Sequence, residues 1–383
     1  MEDRKLPIGI RSFEKIAENH TVYVDKTEYV YQLVHTSMPY FLSRPPRFGK
    51  SLILSTMKAY WEGKKELFSG LKIESLEKEN PDAWQAYPVF FFDFDEVNVS
   101  CEGMLENLLE AYLLEWEKIY GITSREMPLG VRFGQLLRAA AEQTGKKCVI
   151  LVDEYDKPLL ETMENPELVK HNKAVLNGFF SVLKSEEANI RFIFIIGGTK
   201  LIDGTFFGAI DHLRDISMSM DYAEICGFTN QEMLSVFTPE VKALAKEQGL
   251  TQETCLEKLE AECGGYHFHH KGKSIHHPYR LLSALEDRKF DACWLETGIL
   301  SFLVNRLQVM NVDVRKFTDG ALYATKRMLR EDCTVSSDPV PLLYRMGVLT
   351  LLEYDSKGCF YRLGFPNEEV KHGFLDRLMA NPD

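Results

Sequence analysis

Short, almost unbroken apolar runs recur along this chain, with long amphipathic stretches between them. Strands that have one face in water alternate apolar and polar residues, whereas continuous apolar runs are typical of strands buried on both faces. The stretches between the runs are long enough to form helices. We therefore predict an α/β fold with a parallel sheet flanked by helices. The apolar runs are Pro39–Leu42, Val89–Phe94, Cys148–Val152 and Phe192–Ile196.

The segment after the first run predicts a phosphate-binding loop. Residues Arg44–Ser51 read Arg-Pro-Pro-Arg-Phe-Gly-Lys-Ser, which matches the last three positions of G-x-x-x-x-G-K-[ST], with Arg44 at the first glycine. A helix with apolar residues at helical spacing is predicted from Ser51 to Glu62, so the loop ends at a helix N-terminus that favours anions. Pro45 and Pro46 have no N–H to donate, so the cradle depends on amides from Arg47 onward. The predicted nucleotide-binding residues are Arg47, Phe48, Gly49, Lys50, Ser51 and Leu52, with Lys50 on the β- and γ-phosphates and Ser51 on Mg²⁺.

A second motif lies at the end of the third run, where Cys148–Val152 is followed by Asp153 and Glu154. An aspartate at the carboxyl end of a buried strand can bind Mg²⁺, and the adjacent glutamate can orient or deprotonate the attacking water. Arg47 is a candidate for stabilising phosphate charge in cis, although a solvated loop arginine is the alternative. The strand at Phe90–Phe94 is interpreted as an additional strand between the two catalytic strands. The pattern predicts a P-loop NTPase of the additional-strand type that uses ATP and Mg²⁺.

Composition limits the setting in which such a protein works. The chain has 383 residues, more than one hydrophobic core usually holds, and 45 Lys and Arg against 57 Asp and Glu leave a net charge of −12. No global basic field is present to attract nucleic acid. The eight cysteines form no C-x-x-C pair, no run of eighteen apolar residues occurs, and no apolar stretch follows the N-terminus. We expect a soluble cytoplasmic protein without membrane association.

The remaining chain predicts two further units after a core at residues 1–228. Thr229 and Glu232 have the spacing of a capping box, which predicts the start of a helical lid over residues 229–300. In residues 301–383, helical patterning is followed by strands at Gly347–Leu352 and Cys359–Leu363, with a turn between them that predicts a hairpin. Helices that end in a hairpin suggest a winged-helix-like unit. Its modest positive charge leaves a DNA-binding regulator that acts through this unit as an alternative function.

Two other clusters leave alternatives open. Five histidines from His267 to His277 suggest a metal site, for example for zinc. No cysteine or carboxylate completes the ligand spacing, however, and the alternative is a turn before a helix. Asp93 and Asp95 on the aromatic strand could serve as a sensor or contact a metal, although buried packing of that strand is favoured. The histidines are His267, His269, His270, His276 and His277.

Several strings, covering most of the chain, carry a resemblance to a known family. They are Leu6–Ile10 with Phe13, Tyr23–Thr27, Arg44–Ser51, Asp153–Pro158, Cys226–Thr229, Gly265–Phe268 and Leu363–Val370. Together they resemble the prokaryotic AAA-ATPase-like family, whose P-loop domain is often fused to a PD-(D/E)XK nuclease-like C-terminal domain. In this family the loop usually contains an arginine where the standard motif has its first glycine. The resemblance therefore implies that the loop binds nucleotide although Arg44 replaces that glycine.

The chain departs from the family pattern at two positions, and we expect the nuclease domain to be absent. Pro46 stands where the family loop usually has a second arginine, and Ile196, followed by Gly197–Lys200, stands where a Thr-Gly-type sensor usually ends the fourth strand. Because of these departures, two functions are considered. One is an ATPase whose nucleotide state drives a conformational switch, and the other is a nucleotide-binding scaffold with little turnover. Too few residues follow Val370 for the nuclease, so we expect a short member or a fragment without nuclease activity. The expected partner of the switch is another protein or, in longer relatives, the nuclease domain.

Overall fold

The computed structural model describes residues 4–95, 101–123, 126–198, 213–290, 322–330 and 338–380, with residues 303, 307 and 317 besides. The chain divides into two compact units. We call Thr27–Ser43 with Ser51–Ile216 the sheet unit. We call the other unit the loop unit, because it includes the predicted phosphate loop; it consists of Met1–Lys26, Arg44–Lys50 and Ser217–Asp383.

The sheet unit is built on a five-stranded sheet in the order β2-β3-β4-β1-β5, and every strand pair in it is parallel. All residues of β3 and the last six of β4 are buried, as continuous apolar runs require. The prediction of a parallel sheet flanked by helices is confirmed. The strands are β1 (Tyr40–Ser43), β2 (Val89–Asp93), β3 (Cys148–Asp153), β4 (Ile190–Gly197) and β5 (Arg214–Asp215).

One strand assignment was wrong. The strand that lies between β1 and β3 in the sheet is β4, whereas β2, which contains most of the Phe90–Phe94 run, lies beyond β3. β2 precedes β3 in the chain, but a crossover connection can return a strand to either side of its neighbour. Order along the sequence therefore did not give order in the sheet. The additional strand exists, and it is β4.

Helices are numbered along the whole chain, so that α1 (Phe13–Glu18) belongs to the loop unit. In the sheet unit, the ring of Phe92 lies edge-on to Phe133 at 5.4 Å and to Phe179 at 5.5 Å, which packs α6 and α8 against β2. Helix α8 begins after Asn165, whose side chain accepts a hydrogen bond from the Leu168 amide. The helices are α2 (Thr27–Val34), α3 (Lys50–Trp61), α4 (Lys72–Leu76), α5 (Met104–Tyr120), α6 (Leu129–Thr144), α7 (Lys157–Leu160), α8 (Pro166–Phe180) and α9 (Val182–Ser185), with 3₁₀ turns at Lys65–Phe68 and Glu187–Asn189.

The loop unit combines helices with two small antiparallel sheets, β6-β7 and β8-β10-β9. The predicted capping box is confirmed: Thr229 Oγ1 accepts from the Glu232 amide at 3.2 Å, and a Glu232 carboxylate oxygen accepts from the Thr229 amide at 2.8 Å. The helices are α10 (Asn230–Val236), α11 (Thr238–Glu247), α12 (Gln252–Cys263), α13 (Pro278–Asp287), α14 (Val340–Arg345) and α15 (Glu368–Ala380), with 3₁₀ turns at Met220–Tyr222 and Met328–Arg330. The strands are β6 (Phe228–Thr229), β7 (Ile275–His276), β8 (Leu322–Thr325), β9 (Thr350–Asp355) and β10 (Phe360–Gly364).

The predicted C-terminal hairpin is confirmed, because β9 and β10 pair antiparallel across a short turn. The winged-helix-like assignment of residues 301–383 stays a prediction, since much of residues 291–321 lies outside the described residues. The predicted boundaries at residues 228 and 300 stay predictions too. Across the described part of the chain, helices are either too short or too polar to traverse a bilayer.

Candidate nucleotide-binding site

The acidic motif lies at the carboxyl edge of the parallel sheet. Asp153 is the last residue of β3 and is 1% exposed, and its carbonyl oxygen accepts a hydrogen bond from the Phe94 amide at 3.1 Å. Glu154 follows, half-buried, with a backbone φ of +48°. A left-handed backbone at a residue other than glycine costs roughly 1 kcal/mol or more, and such strain is concentrated at functional sites. The sheet therefore brings Asp153 and Glu154 to the edge where ligands of α/β sheets bind.

Hydrogen bonds within the sheet unit tie the ends of three strands together. The Ser43 hydroxyl at the end of β1 donates to the Gly198 carbonyl oxygen at 2.7 Å, and the Gly198 amide donates to Asp156 Oδ1 at 3.1 Å. The Tyr155 amide donates to the Ile196 carbonyl oxygen at 3.2 Å. Ser43 directly precedes the predicted phosphate loop in the chain. The strand end that leads into this loop and the turn after Glu154 are thus both fixed to the end of β4.

The predicted order of strand, loop and helix is confirmed. Helix α3 begins at Lys50, which places Ser51 and Leu52 in its first turn. Inside the loop unit, the Lys50 ammonium donates to the carbonyl oxygens of Arg44 at 3.1 Å and of Pro45 at 3.3 Å. The lysine side chain therefore folds back over the loop that it ends.

The middle of the loop has an exposed arginine beside a buried phenylalanine. Arg47 has a φ of +60°, and its guanidinium carbon lies 4.5 Å from the centre of the Tyr279 ring. Phe48 is fully buried, with the ring of His277 at 4.7 Å. Gly49 has a φ of +89°, a conformation that glycine adopts readily. The role of Arg47 in stabilising phosphate charge stays a prediction.

The structure explains part of the departure at the fourth strand. Ile196 is fully buried in β4 with Leu42 as its neighbour in register, so it packs in the sheet. At Gly197, an added Cβ would lie 2.3 Å from Asp156 Oδ1, so the packing requires glycine there. Thr199 and Lys200 lie outside the described residues.

The two other candidate clusters have packing roles. Phe90, Phe92 and Phe94 belong to the main core of the sheet unit, which confirms buried packing of the aromatic strand. Asp95 forms an ion pair with Lys157, and Asp93 is the register neighbour of Asp153. Within the ranges that the structure describes, no three His, Cys, Asp or Glu side chains are grouped to hold a metal ion.

The five histidines have different neighbours within the loop unit, and two of them contact each other. His276 Nε2 lies 3.1 Å from a Glu260 carboxylate oxygen, and this contact is the main cause that lowers the pKa of Glu260 to about 2. His267 Nδ1 lies 3.2 Å from the Gly272 carbonyl oxygen, and the rings of His269 and His270 lie 4.3 Å apart.

The predicted turn before a helix is confirmed at His277, and the structure adds that its side chain caps this helix. Its ring accepts a hydrogen bond from the Arg280 amide at 3.4 Å and so caps α13. Burial, followed by the charges of Arg280 and Arg47, lowers the pKa of His277 to about 3. The signal was present, because a polar residue before Pro278 is typical of a helix start.

Comparison with known proteins agrees with the motifs. Residues 7–207 match the AAA-ATPase-like family, described as "Predicted AAA-ATPase". An uncharacterized protein in the vnfD 5′ region of Azotobacter chroococcum mcd 1 is 33% identical over 391 residues, and the alignment covers 99% of this chain and 70% of that protein. Membership of this family suggests ATP binding. The family match spans more than half of the chain and includes both motifs, so the chain belongs to the AAA-ATPase-like family.

Proposed function

We propose that this chain binds ATP with Mg²⁺ and hydrolyses it, and that its nucleotide state drives a conformational switch that acts on a protein partner. The observation that carries this proposal is the hydrogen-bonded link from Ser43 through Gly198 to Asp156. These hydrogen bonds attach both β1, which leads into the loop, and the turn after Glu154 to the end of β4. The six described cysteines are all free thiols, which supports the cytoplasmic setting predicted from the sequence.

In this proposal, Lys50 exchanges its two carbonyl contacts for oxygens of the β- and γ-phosphates. The exchange is favourable, because hydrogen bonds between an ammonium and a phosphate are stronger than those to neutral carbonyls. Amides from Arg47 to Leu52 donate to the phosphates, and the Ser51 hydroxyl coordinates Mg²⁺. The buried carboxylate of Asp153 holds the same ion through water.

Hydrolysis is assigned to Glu154, which would orient and deprotonate the attacking water. Glu154 is half-buried and directly follows Asp153 at the carboxyl edge of the sheet. Removing a general base typically slows an enzyme by about 10²–10⁴-fold. Arg47 would stabilise charge on the transferred phosphoryl group, because it is exposed and lies within the loop.

Binding and turnover of the full chain test these roles. Calorimetry would measure ATP affinity, and phosphate release would measure turnover with Mg²⁺ and with EDTA. We expect Lys50→Ala to lose affinity and Glu154→Gln to keep affinity while turnover falls at least about 100-fold. Lys58→Ala is the matched control, since Lys58 also lies in α3 and pairs with the half-buried Glu62, outside the loop. A wild-type chain that does not bind ATP would refute the proposal.

A scaffold that binds nucleotide with little turnover is the second candidate, and the packing of β4 favours it. Ile196 is fully buried, and Gly197 and Gly198 have no side chain that could hold water. ATP affinity without phosphate release, in the wild type as in Glu154→Gln, would establish the scaffold instead of the ATPase.

A further inference from the structure

Arg44, the residue at the first glycine of the phosphate-loop motif, is buried within the loop unit. Its side chain is 1% exposed and donates to the carbonyl oxygens of Ser217 at 2.8 Å and of Tyr222 at 2.7 Å. The guanidinium carbon also lies 4.0 Å from the centre of the Phe268 ring. A buried guanidinium is costly unless acceptors surround it, and two carbonyls and an aromatic face provide such surroundings here. Arg44 is therefore directed into the protein.

Phe48, four residues later, is a second buried anchor of the same loop. Its ring lies edge-on to Tyr266 at 4.9 Å, to Phe268 at 5.3 Å and to His277 at 4.7 Å. Aromatic pairs in this arrangement contribute roughly 0.5–1.5 kcal/mol each beyond burial. Phe268 contacts both Phe48 and Arg44, so the two anchors meet on one ring.

The backbone of the loop has few means of holding its own shape. Pro45 and Pro46 remove two amide donors, and Arg47 lies in the left-handed region that glycine adopts more easily. Pro45 packs close to Gly347, where an added Cβ would lie 2.9 Å from the proline Cβ. Contacts with residues outside the loop therefore add to the hydrogen bonds from Lys50 in shaping it.

We propose that Arg44 and Phe48 are positioning residues, which hold the phosphate loop in its binding conformation by anchoring it to Phe268 and the neighbouring carbonyls of the loop unit. The proposal rests on the proposed function, in that nucleotide is the ligand of the loop. It makes an unusual prediction, because Arg44→Gly restores the standard G-x-x-x-x-G-K-S motif. The restored motif should bind ATP more weakly than the natural sequence.

The first test measures ATP affinity by calorimetry in full-length variants. We expect Arg44→Gly and Arg44→Ala to raise the Kd for ATP at least tenfold. Ethylguanidinium at millimolar concentration should recover affinity in Arg44→Ala, whereas ethylammonium, which lacks the planar fork, should not. Arg191→Ala is the matched control, because Arg191 also donates to a carbonyl, that of Thr36, but lies in the sheet unit. A Kd for Arg44→Gly equal to or below the wild-type value would overturn the proposal.

The second test needs no nucleotide, so it separates this proposal from the proposed function. Amide hydrogen exchange of residues 47–51 should be faster in Arg44→Ala than in the wild type, and ethylguanidinium should slow it again. If the Arg44 variants do not fold, Phe48→Leu keeps an apolar side chain, loses the ring contacts and should show the same faster exchange. Unchanged exchange in the folded variant overturns the anchoring. If the wild-type chain does not bind ATP and the variants still show these changes in exchange, the proposed function alone is refuted.

Discussion

Gly197 should tolerate no side chain, because the turn after the acidic motif fills the space beside it. A Cβ at this position would lie 2.3 Å from Asp156 Oδ1, and 2.8 Å and 2.9 Å from two ring carbons of Tyr155. Tyr155 and Asp156 are both fully buried, so neither can swing into solvent. Gly197→Ala must therefore displace the turn that follows Glu154.

The size of the effect follows from these distances. Asp156 would have to move by roughly 1 Å to reach an ordinary contact distance. Such a movement lengthens its hydrogen bond with the Gly198 amide, now 3.1 Å. Overpacking a buried site typically costs about 1–3 kcal/mol, so we expect a loss of stability in that range. If the turn positions Glu154, turnover should fall more than ATP affinity.

Gly198→Ala is the matched control, since among the described residues only Asp156 Oδ2 lies near its added Cβ, at 3.5 Å, which is an ordinary contact. Urea unfolding followed by circular dichroism would give the stability of both variants, and phosphate release would give turnover. We expect the loss in Gly197→Ala to exceed that in Gly198→Ala by at least about 1 kcal/mol. Equal values of stability and turnover for the two variants would refute this account of the strand end.

Three further perturbations test other parts of the structure. Glu154→Gly should relieve the strain of a φ of +48°, so the unfolding temperature should stay the same or rise while phosphate release is lost. Arg288→Gly, at a φ of +53°, is the control and should change the unfolding temperature in the same way without loss of turnover. Loss of stability in both variants would contradict the backbone strain. His277 binds a proton near pH 3 in the folded chain and near its usual 6.5 when unfolded, so wild-type stability should fall as pH drops through this window. In His277→Asn, which keeps a helix cap, urea unfolding from pH 7 to pH 5 should show a slope flatter by about 1 kcal/mol per pH unit on average, and an unchanged slope would contradict the burial of neutral His277. Glu117→Ala removes the carboxylate that accepts two hydrogen bonds from the buried Arg132, at 2.7 Å and 2.9 Å. Thermal unfolding should show a loss of stability of about 3 kcal/mol. A loss of stability below about 1 kcal/mol would show that the pair contributes little.

The elements predicted from sequence are those whose signals are local. Continuous apolar runs gave β1 to β4, the spacing of Thr229 and Glu232 gave the capping box, and the turn before Cys359 gave the hairpin. The position of β4 was not predictable, because strand order depends on crossovers that leave no local pattern in the sequence.

The role of Arg44 shows a second limit of sequence reasoning. The motif comparison treats Arg44 as a missing glycine, whereas the structure shows it donating to the carbonyls of Ser217 and Tyr222, far along the chain. Contacts over such separations follow from tertiary packing. Phe48 is similar, since the motif assigns it only a backbone amide while its ring is buried against Tyr266 and Phe268.

The packing at the end of β4 also limits where a polar group could help hydrolysis. A polar side chain at position 196 would replace a fully buried isoleucine inside the sheet, where a hydroxyl costs about 1–3 kcal/mol unless it finds a partner. Position 197 excludes every side chain, because Asp156 and Tyr155 occupy the space. The Gly198 amide and carbonyl are both used in linking Asp156 to Ser43. The end of β4 therefore serves to align the neighbouring strands, and any side chain that places water must come from elsewhere.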